Sequence, residues 1–154
     1  MRRPLISFFV VAGIVALLGA CAKEQPPPPP PPPPAQPAAA PPPQHQVFKV
    51  YFELDRANLT PEAGQIVANA AAAAKANPSA NVSLVGKTDT SGTAAYNQGL
   101  SERRTATVRR ALAGDGVPDG RITGRSVGES ELEVPTANHV KEPRNRVVTI
   151  DIGG

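Results

Sequence analysis

The sequence has a single cysteine, Cys21, and only two histidines, His45 and His139. One cysteine excludes a disulfide within the chain, although an extracytoplasmic compartment would permit one. His45 falls in a proline-rich segment and His139 stands alone, so neither a zinc-ligand pair nor a catalytic triad is present. We therefore expect no metal, no cofactor and no enzymatic activity.

Net charge is also small in the mature chain, the part that we expect to remain after an N-terminal segment is removed. The formal charge is +3, from 16 basic and 13 acidic residues. Arg2 and Arg3 lie in a segment that we expect to be removed, which leaves 14 basic residues against the 13 acidic ones. A nearly neutral chain gives no argument for nucleic-acid binding.

The N-terminus has the pattern of a secretory signal. A cationic start precedes an apolar run of about fourteen residues at 5–18, too short for a comfortable membrane span. The run ends in Leu18-Gly19-Ala20-Cys21, which matches the bacterial lipobox. This predicts a signal peptide over 1–20, lipidation of Cys21 and, because Ala22 follows, sorting to the outer membrane. An uncleaved anchor, or an ordinary signal peptide cut after Ala20, is the alternative.

Residues 21–46 form a linker rich in proline. Nine consecutive prolines, Pro26 to Pro34, require a stiff polyproline II conformation of about 3.1 Å per residue. We interpret the segment as a spacer between the lipidated cysteine and a folded domain at 47–154. Docking of the proline run to a partner is the second interpretation.

Hydrophobic patterning over 47–154 predicts the order strand, helix, strand, helix, strand, strand. The strands are expected at 47–52, 81–86, 121–128 and 144–152, with a short helical turn near Asn138. The helices are expected from Thr60-Pro61, which supplies an N-cap and a first-turn proline, and from about Ala94. This order predicts an α+β fold, β-α-β-α-β-β, in which two helices cover one face of a mixed sheet.

One stretch, 86–108, carries the charges most suggestive of a site. Its loop holds the acid Asp89, and its helix places Arg104 in an apolar row between Leu100 and Val108. A guanidinium in such a row either reaches solvent or is held by an anion, because burying it unpaired is costly. Asp89 and Arg104 could therefore pair with each other or hold a ligand together, and Asp89 could also serve only the loop.

Several motifs resemble the OmpA-like C-terminal domain family. They are Val50-Tyr51-Phe52-Glu53-Leu54-Asp55, Gly86-Lys87-Thr88-Asp89, Tyr96-Asn97, Leu100-Ser101-Glu102-Arg103-Arg104 and Asn145-Arg146-Val147. In layout, the whole chain resembles the peptidoglycan-associated lipoproteins of that family. The resemblance implies non-covalent binding of peptidoglycan at the meso-diaminopimelate of its stem peptide. It also implies that Asp89 takes the ammonium and Arg104 the carboxylate of that residue, bordered by Asn97, Thr88, Leu100 and Asp55.

The sequence departs from the family pattern at several positions. Lys87 stands where the family commonly has histidine, and we expect its cation to compete for Asp89. Val147 replaces the second arginine of an Asn-Arg-Arg motif. The acidic residues Glu129, Glu131 and Glu133 are expected to form a solvated face.

Two functional hypotheses follow. The first is an outer-membrane lipoprotein, anchored by acylated Cys21 with its domain in the periplasm, that tethers the membrane to peptidoglycan. The second is an OmpA-like component of an envelope machine, of the Tol or secretion type, whose main partner is a periplasmic protein. Crosslinking followed by co-purification would distinguish them.

Overall fold

A computed structural model describes residues 45–153 of the chain. The predicted signal peptide, the lipidation site Cys21 and nearly all of the linker lie outside the described residues. The elements are the strands β1 (Gln46–Tyr51), β2 (Asn81–Lys87), β3 (Ile122–Gly128) and β4 (Val147–Gly153), and the helices α1 (Pro61–Ala76) and α2 (Ala94–Gly114). Two short 3₁₀ helices, Asp119–Arg121 and Pro143–Asn145, precede β3 and β4.

The four strands form one mixed sheet in the order β1-β4-β2-β3. The strand β4 is antiparallel to both β1 and β2, whereas β2 and β3 are parallel and are joined through α2. Alternate residues of the strands, such as Val50, Leu84 and Ile150, are buried in one core with α1 and α2. The predicted α+β fold is confirmed.

Close packing of α1 follows from its small residues. Thr60 caps the helix by accepting a hydrogen bond from the backbone N–H of Ala63 at 3.2 Å, and Pro61 occupies the first turn. The core-facing side is largely alanine, including Ala70 and Ala74, both fully buried. Small side chains let the helix backbone approach the sheet closely, so α1 contributes little side-chain volume of its own to the core.

The middle of α2 packs tightly against the end of β2. A Cβ on Gly86 would lie 2.1 Å from the Thr105 hydroxyl oxygen and 2.8 Å from the Ser101 carbonyl oxygen. Only glycine leaves room for that approach. The end of β2, from which the loop at 88–93 leads to α2, is therefore held against that helix.

Two local predictions are wrong. The last strand begins at Val147, not at Arg144, because residues 143–145 form a 3₁₀ helix whose start is capped by the Glu142 side chain. Near Asn138 the chain makes a turn and no helix. The first strand begins one residue before the predicted domain boundary, and His45 lies beside it with its Nδ1 3.3 Å from Asp151 Oδ1.

Candidate functional site

A cavity of about 230 Å³ lies where the loops after β1 and β2 meet the first turns of α2 and the loop 129–142. It brings together five of the six predicted ligand-binding residues, Asp55, Asp89, Asn97, Leu100 and Arg104. The remaining lining residues, which were not predicted as site residues, are Leu54, Ser91, Gly92, Tyr96 and Lys141.

Thr88 does not line the cavity, contrary to its predicted place at the border of the site. It is fully buried, and its backbone N–H donates to the Gly128 carbonyl at 2.8 Å. Its hydroxyl has no hydrogen-bond partner among the described residues. Thr88 belongs to the Gly86-Lys87-Thr88-Asp89 motif, but β2, which ends just before it, directs its side chain into the protein interior and not towards the cavity.

Arg104 lies at the floor of the cavity and is fully buried. Its guanidinium donates to three backbone carbonyls, those of Arg56 at 2.9 Å, Glu53 at 3.0 Å and Lys87 at 3.2 Å. Its Cζ also lies 5.2 Å from the centre of the Phe52 ring. Burial lowers the pKa of Arg104 to about 10, so the group stays charged at neutral pH.

The buried charge of Arg104 has no carboxylate partner within 4.0 Å in the described part of the chain. Carbonyl dipoles satisfy its hydrogen bonding but do not cancel its charge. These three hydrogen bonds use only some of the N–H donors of the guanidinium. Of the interpretations open from sequence, a side chain reaching solvent and a direct pair with Asp89 are both wrong.

Asp89 is held independently of Arg104. Its Oδ1 accepts hydrogen bonds from the backbone N–H of Ser91 at 3.3 Å and from the Ser91 hydroxyl at 2.6 Å. Its Oδ2 lies 3.2 Å from Nη1 of Arg146. A carboxylate oxygen accepts more than one hydrogen bond, so Oδ2 keeps acceptor capacity. Asp89 is thus a fixed anion at the wall of the cavity.

Lys87 does not compete for Asp89, which corrects the expectation from sequence. Its Nζ lies 2.7 Å from Glu133 Oε1, and Nζ of Lys49 lies 2.5 Å from Oε2 of the same carboxylate. These two hydrogen bonds lower the pKa of Glu133. Glu133 is therefore an ion-pair centre that ties the loop 129–142 to the sheet.

The other acidic residues divide between two roles. Glu131 fits the expected solvated face, since it pairs with Arg125 while both side chains stay about half exposed. Glu129 does not, because its Oε2 accepts a hydrogen bond from Nδ2 of buried Asn97 at 2.5 Å. A solvated face built from all three glutamates is therefore wrong.

Replacing Glu133 with glutamine is expected to lower the free energy of unfolding by about 1 kcal/mol at pH 7, because two lysines lose their anion. The pKa of this carboxyl is depressed in the folded protein, so its stabilisation is present at neutral pH and is lost as the pH falls through the depressed pKa. Urea unfolding of both proteins at pH 7 and at acidic pH would measure this. A difference that persisted unchanged under acid would contradict the ion-pair explanation.

Asn97 supports the cavity wall rather than its rim. Its Nδ2 donates both to the Glu129 carboxylate and to the Asp89 backbone carbonyl at 3.1 Å. Only its Oδ1 is left for other contacts, and a Cβ on Gly92 would come within 2.8 Å of that atom. Asn97 therefore fixes the loop that carries Asp89.

An aromatic side wall completes the cavity. The Tyr96 hydroxyl donates to the Asp55 carboxylate, and this hydrogen bond raises the pKa of the tyrosine. Asp55 itself has a positive φ of 58°, which bends the loop after β1 towards α2. The Cζ of Arg103 lies 5.7 Å from the centre of the Tyr96 ring.

The start of α2 favours an anionic ligand. Thr93 caps the helix by accepting a hydrogen bond from the N–H of Tyr96, and the first turn carries no acidic side chain. The positive end of the helix dipole is therefore not offset by the helix itself.

Other kinds of site find no support in residues 45–153. No group of three or more histidine, cysteine, aspartate or glutamate side chains is placed to hold a metal ion in that range. Over the same residues, no helix has the length and apolar character needed to span a membrane.

The site residues missed from sequence differ in the signal they carried. Arg146 stands in the Asn145-Arg146 motif, so its pattern was visible, but its contact with Asp89 was not. Tyr96 stands four residues before Leu100, a spacing typical of a buried helix row, although its side chain is about half exposed. Lys141 lies in a polar, irregular segment, where no pattern distinguishes it.

Comparison with known proteins finds a family model described as the OmpA family, which matches residues 51–146. An outer membrane protein of Gluconacetobacter diazotrophicus is 41% identical over 68% of this chain, and the match spans 29% of that protein. The peptidoglycan-associated lipoprotein of Haemophilus influenzae is 32% identical over 92% of this chain and 94% of its own length. The crystal structure of the peptidoglycan-associated lipoprotein from Burkholderia pseudomallei superposes with a TM-score of 0.63 at 27% identity, covering 68% of this chain and 89% of that chain.

Proposed function

Because the chain belongs to the OmpA family, we propose that its domain at 47–154 binds peptidoglycan non-covalently. The ligand group is the free end of meso-diaminopimelate in the stem peptide. This end carries an ammonium and a carboxylate on one carbon, so its recognition needs an anion and a cation a short distance apart.

The observation that carries the proposal is the separation of Asp89 and Arg104. Both line one cavity, both are buried, and neither is the ion-pair partner of the other. A direct pair would have used the acceptors of Asp89 and the donors of Arg104 on each other. Asp89 is paired with Arg146 through Oδ2, and that oxygen keeps acceptor capacity for an ammonium. Their separate supports leave two opposite charges facing one space.

The chemistry of binding follows from these supports. The ligand ammonium donates to Asp89, whose orientation is already fixed by Ser91 and Arg146, so little ordering is needed on binding. The ligand carboxylate lies beside Arg104 and the positive end of α2. The methylene groups between the two ends of the diaminopimelate contact the apolar side chains of Leu54 and Leu100.

The departures from the family pattern leave this arrangement in place. Lys87 is bound to Glu133 and does not occupy the ammonium position. Val147 is fully buried in the core, so that position reaches no ligand. Asp89 takes its cation from Arg146 instead.

Co-sedimentation of the full-length protein with purified diaminopimelate-type peptidoglycan tests the proposal. We expect the protein in the pellet, and we expect free meso-diaminopimelate to release it. Protein that stayed in the supernatant at all concentrations would refute the proposal.

We also propose that the protein is attached to the outer membrane through acylated Cys21, with the domain in the periplasm and residues 21–46 as the spacer. Many membrane-confined copies then hold the wall through individually weak sites, by avidity. An intact mass showing an acylated N-terminal cysteine would support the anchor, and an unmodified or uncleaved N-terminus would refute it. A Tol-system or other periplasmic protein partner stays a prediction from sequence.

A further inference from the structure

Lys141 is the one lining residue of the cavity that comes from the loop 129–142 and not from the motifs shared with the family. This loop is fixed against the segment that carries Asp89. The Thr90 hydroxyl donates to the Ala137 carbonyl at 2.7 Å and accepts from the Val140 N–H at 3.1 Å. The His139 N–H donates to the Thr90 carbonyl at 2.7 Å. The backbone next to Lys141 is therefore held in place beside the site.

The Lys141 ammonium is available for a ligand. Its side chain is exposed, and within residues 45–153 no carboxylate lies within 4.0 Å of it. Lys49 and Lys87, by contrast, are both committed to Glu133. The contacts that hold this loop in the described structure are made by Thr90, Asn145 and Glu133, and none of them involves the Lys141 side chain.

The charges around the cavity are unequal once their internal pairs are considered. Two acids, Asp55 and Asp89, and two cations, Arg104 and Lys141, line it. Asp89 is already paired with Arg146, which lies outside the lining set. Arg104 and Lys141, by contrast, have no carboxylate within 4.0 Å in residues 45–153, so the cavity offers two cations to the carboxylates of a ligand.

We propose that Lys141 binds a second carboxylate of the ligand, the main-chain carboxylate of a stem peptide that ends at diaminopimelate. This inference rests on the proposed function and specifies the ligand further. Arg104 takes the carboxylate of the zwitterionic end, and Lys141, at the cavity mouth, takes the carboxylate at the chain terminus. The site then prefers stem peptides with a free terminal carboxylate over those in which that group is capped.

The experiment compares two probes on the full-length protein by calorimetric titration. One is a stem tripeptide ending in meso-diaminopimelate with a free main-chain carboxylate, and the other is the same peptide with that carboxylate converted to a carboxamide. The wild-type protein is expected to bind the acid roughly threefold more tightly, a ratio typical of one exposed ion pair, and the preference should shrink as salt is added.

Three variants complete the test. Lys141→Met keeps an unbranched side chain of nearly the same length but removes its charge, so it should bind the acid as weakly as the amide, with its affinity for the amide unchanged. Lys141→Arg should restore the preference. Lys75→Met, which removes a charge from the last turn of α1, should behave as wild type.

The outcomes separate this inference from the function on which it rests. If the wild-type protein binds neither peptide, the proposed function fails. If it binds both equally, or if Lys141→Met keeps the preference for the acid, only the role of Lys141 is refuted. Equal weakening of both peptides by Lys141→Met would also refute it, since the loop would then have lost a general support.

Discussion

Replacing Asp89 with asparagine is expected to weaken binding to peptidoglycan at least tenfold, about 1.4 kcal/mol of binding free energy. The ligand ammonium would lose the carboxylate assigned to it, while the amide keeps the shape of the side chain. Co-sedimentation with purified peptidoglycan over a range of protein concentrations measures the change. Asparagine is a better choice than alanine, because alanine would remove every side-chain contact made to Ser91 and Arg146.

The matched control is Asp115→Asn. Asp115 follows α2 as its C-cap residue, and its backbone rather than its carboxylate makes the hydrogen bonds there. This variant loses the same charge without touching the cavity, so it should bind as wild type. Unfolding curves of both variants should show that the domain stays folded. Binding of Asp89→Asn equal to that of the control would contradict the assignment of the ammonium site.

Replacing Arg104 with methionine is expected to lower the free energy of unfolding by about 3–5 kcal/mol. Three backbone carbonyls would lose their donor in a buried place, and each unsatisfied group costs roughly 1–3 kcal/mol, although some would rehydrate. Urea-induced unfolding followed by circular dichroism measures the loss. Arg104 therefore holds the loop after β1, in addition to the ligand-binding role that we propose for it.

If the methionine variant does not fold, the variant Arg104→Lys tests the same carbonyl contacts. Lysine keeps the positive charge but lacks the planar fork that reaches three carbonyls at once. We expect an intermediate loss of stability and weaker binding. A change of less than 1 kcal/mol in either variant would show that the carbonyl contacts contribute little and that the structural part of this account is incorrect.

The order of the elements could be predicted from sequence because it depends on local signals. Thr60-Pro61 marks the start of α1, and the alternation of apolar and polar residues marks the strands. Both patterns depend only on residues that are close together in sequence. The row of α2 likewise singled out Arg104 as a cation that had either to reach solvent or to be held by an anion. Failures came where a local pattern was weak, as at Pro143, whose 3₁₀ helix shortened the last strand.

The electrostatic partners could not be predicted in the same way. Arg146 reaches Asp89 across 57 positions and Glu133 reaches Lys87 across 46, so both pairs depend on how the sheet and the loop 129–142 come together. Sequence placed Asp89 and Lys87 near each other and suggested that they would pair. In the folded protein Lys87 pairs instead with Glu133, a carboxylate from the loop 129–142.

The zwitterion site can be tested by titrating the full-length protein with two stem peptides, one containing meso-diaminopimelate and the other lysine at the same position. The lysine side chain ends in an ammonium alone and lacks the carboxylate assigned to Arg104. We expect the diaminopimelate peptide to bind at least about tenfold more tightly. Equal affinity for the two peptides would contradict the joint role of Asp89 and Arg104 in holding a zwitterion.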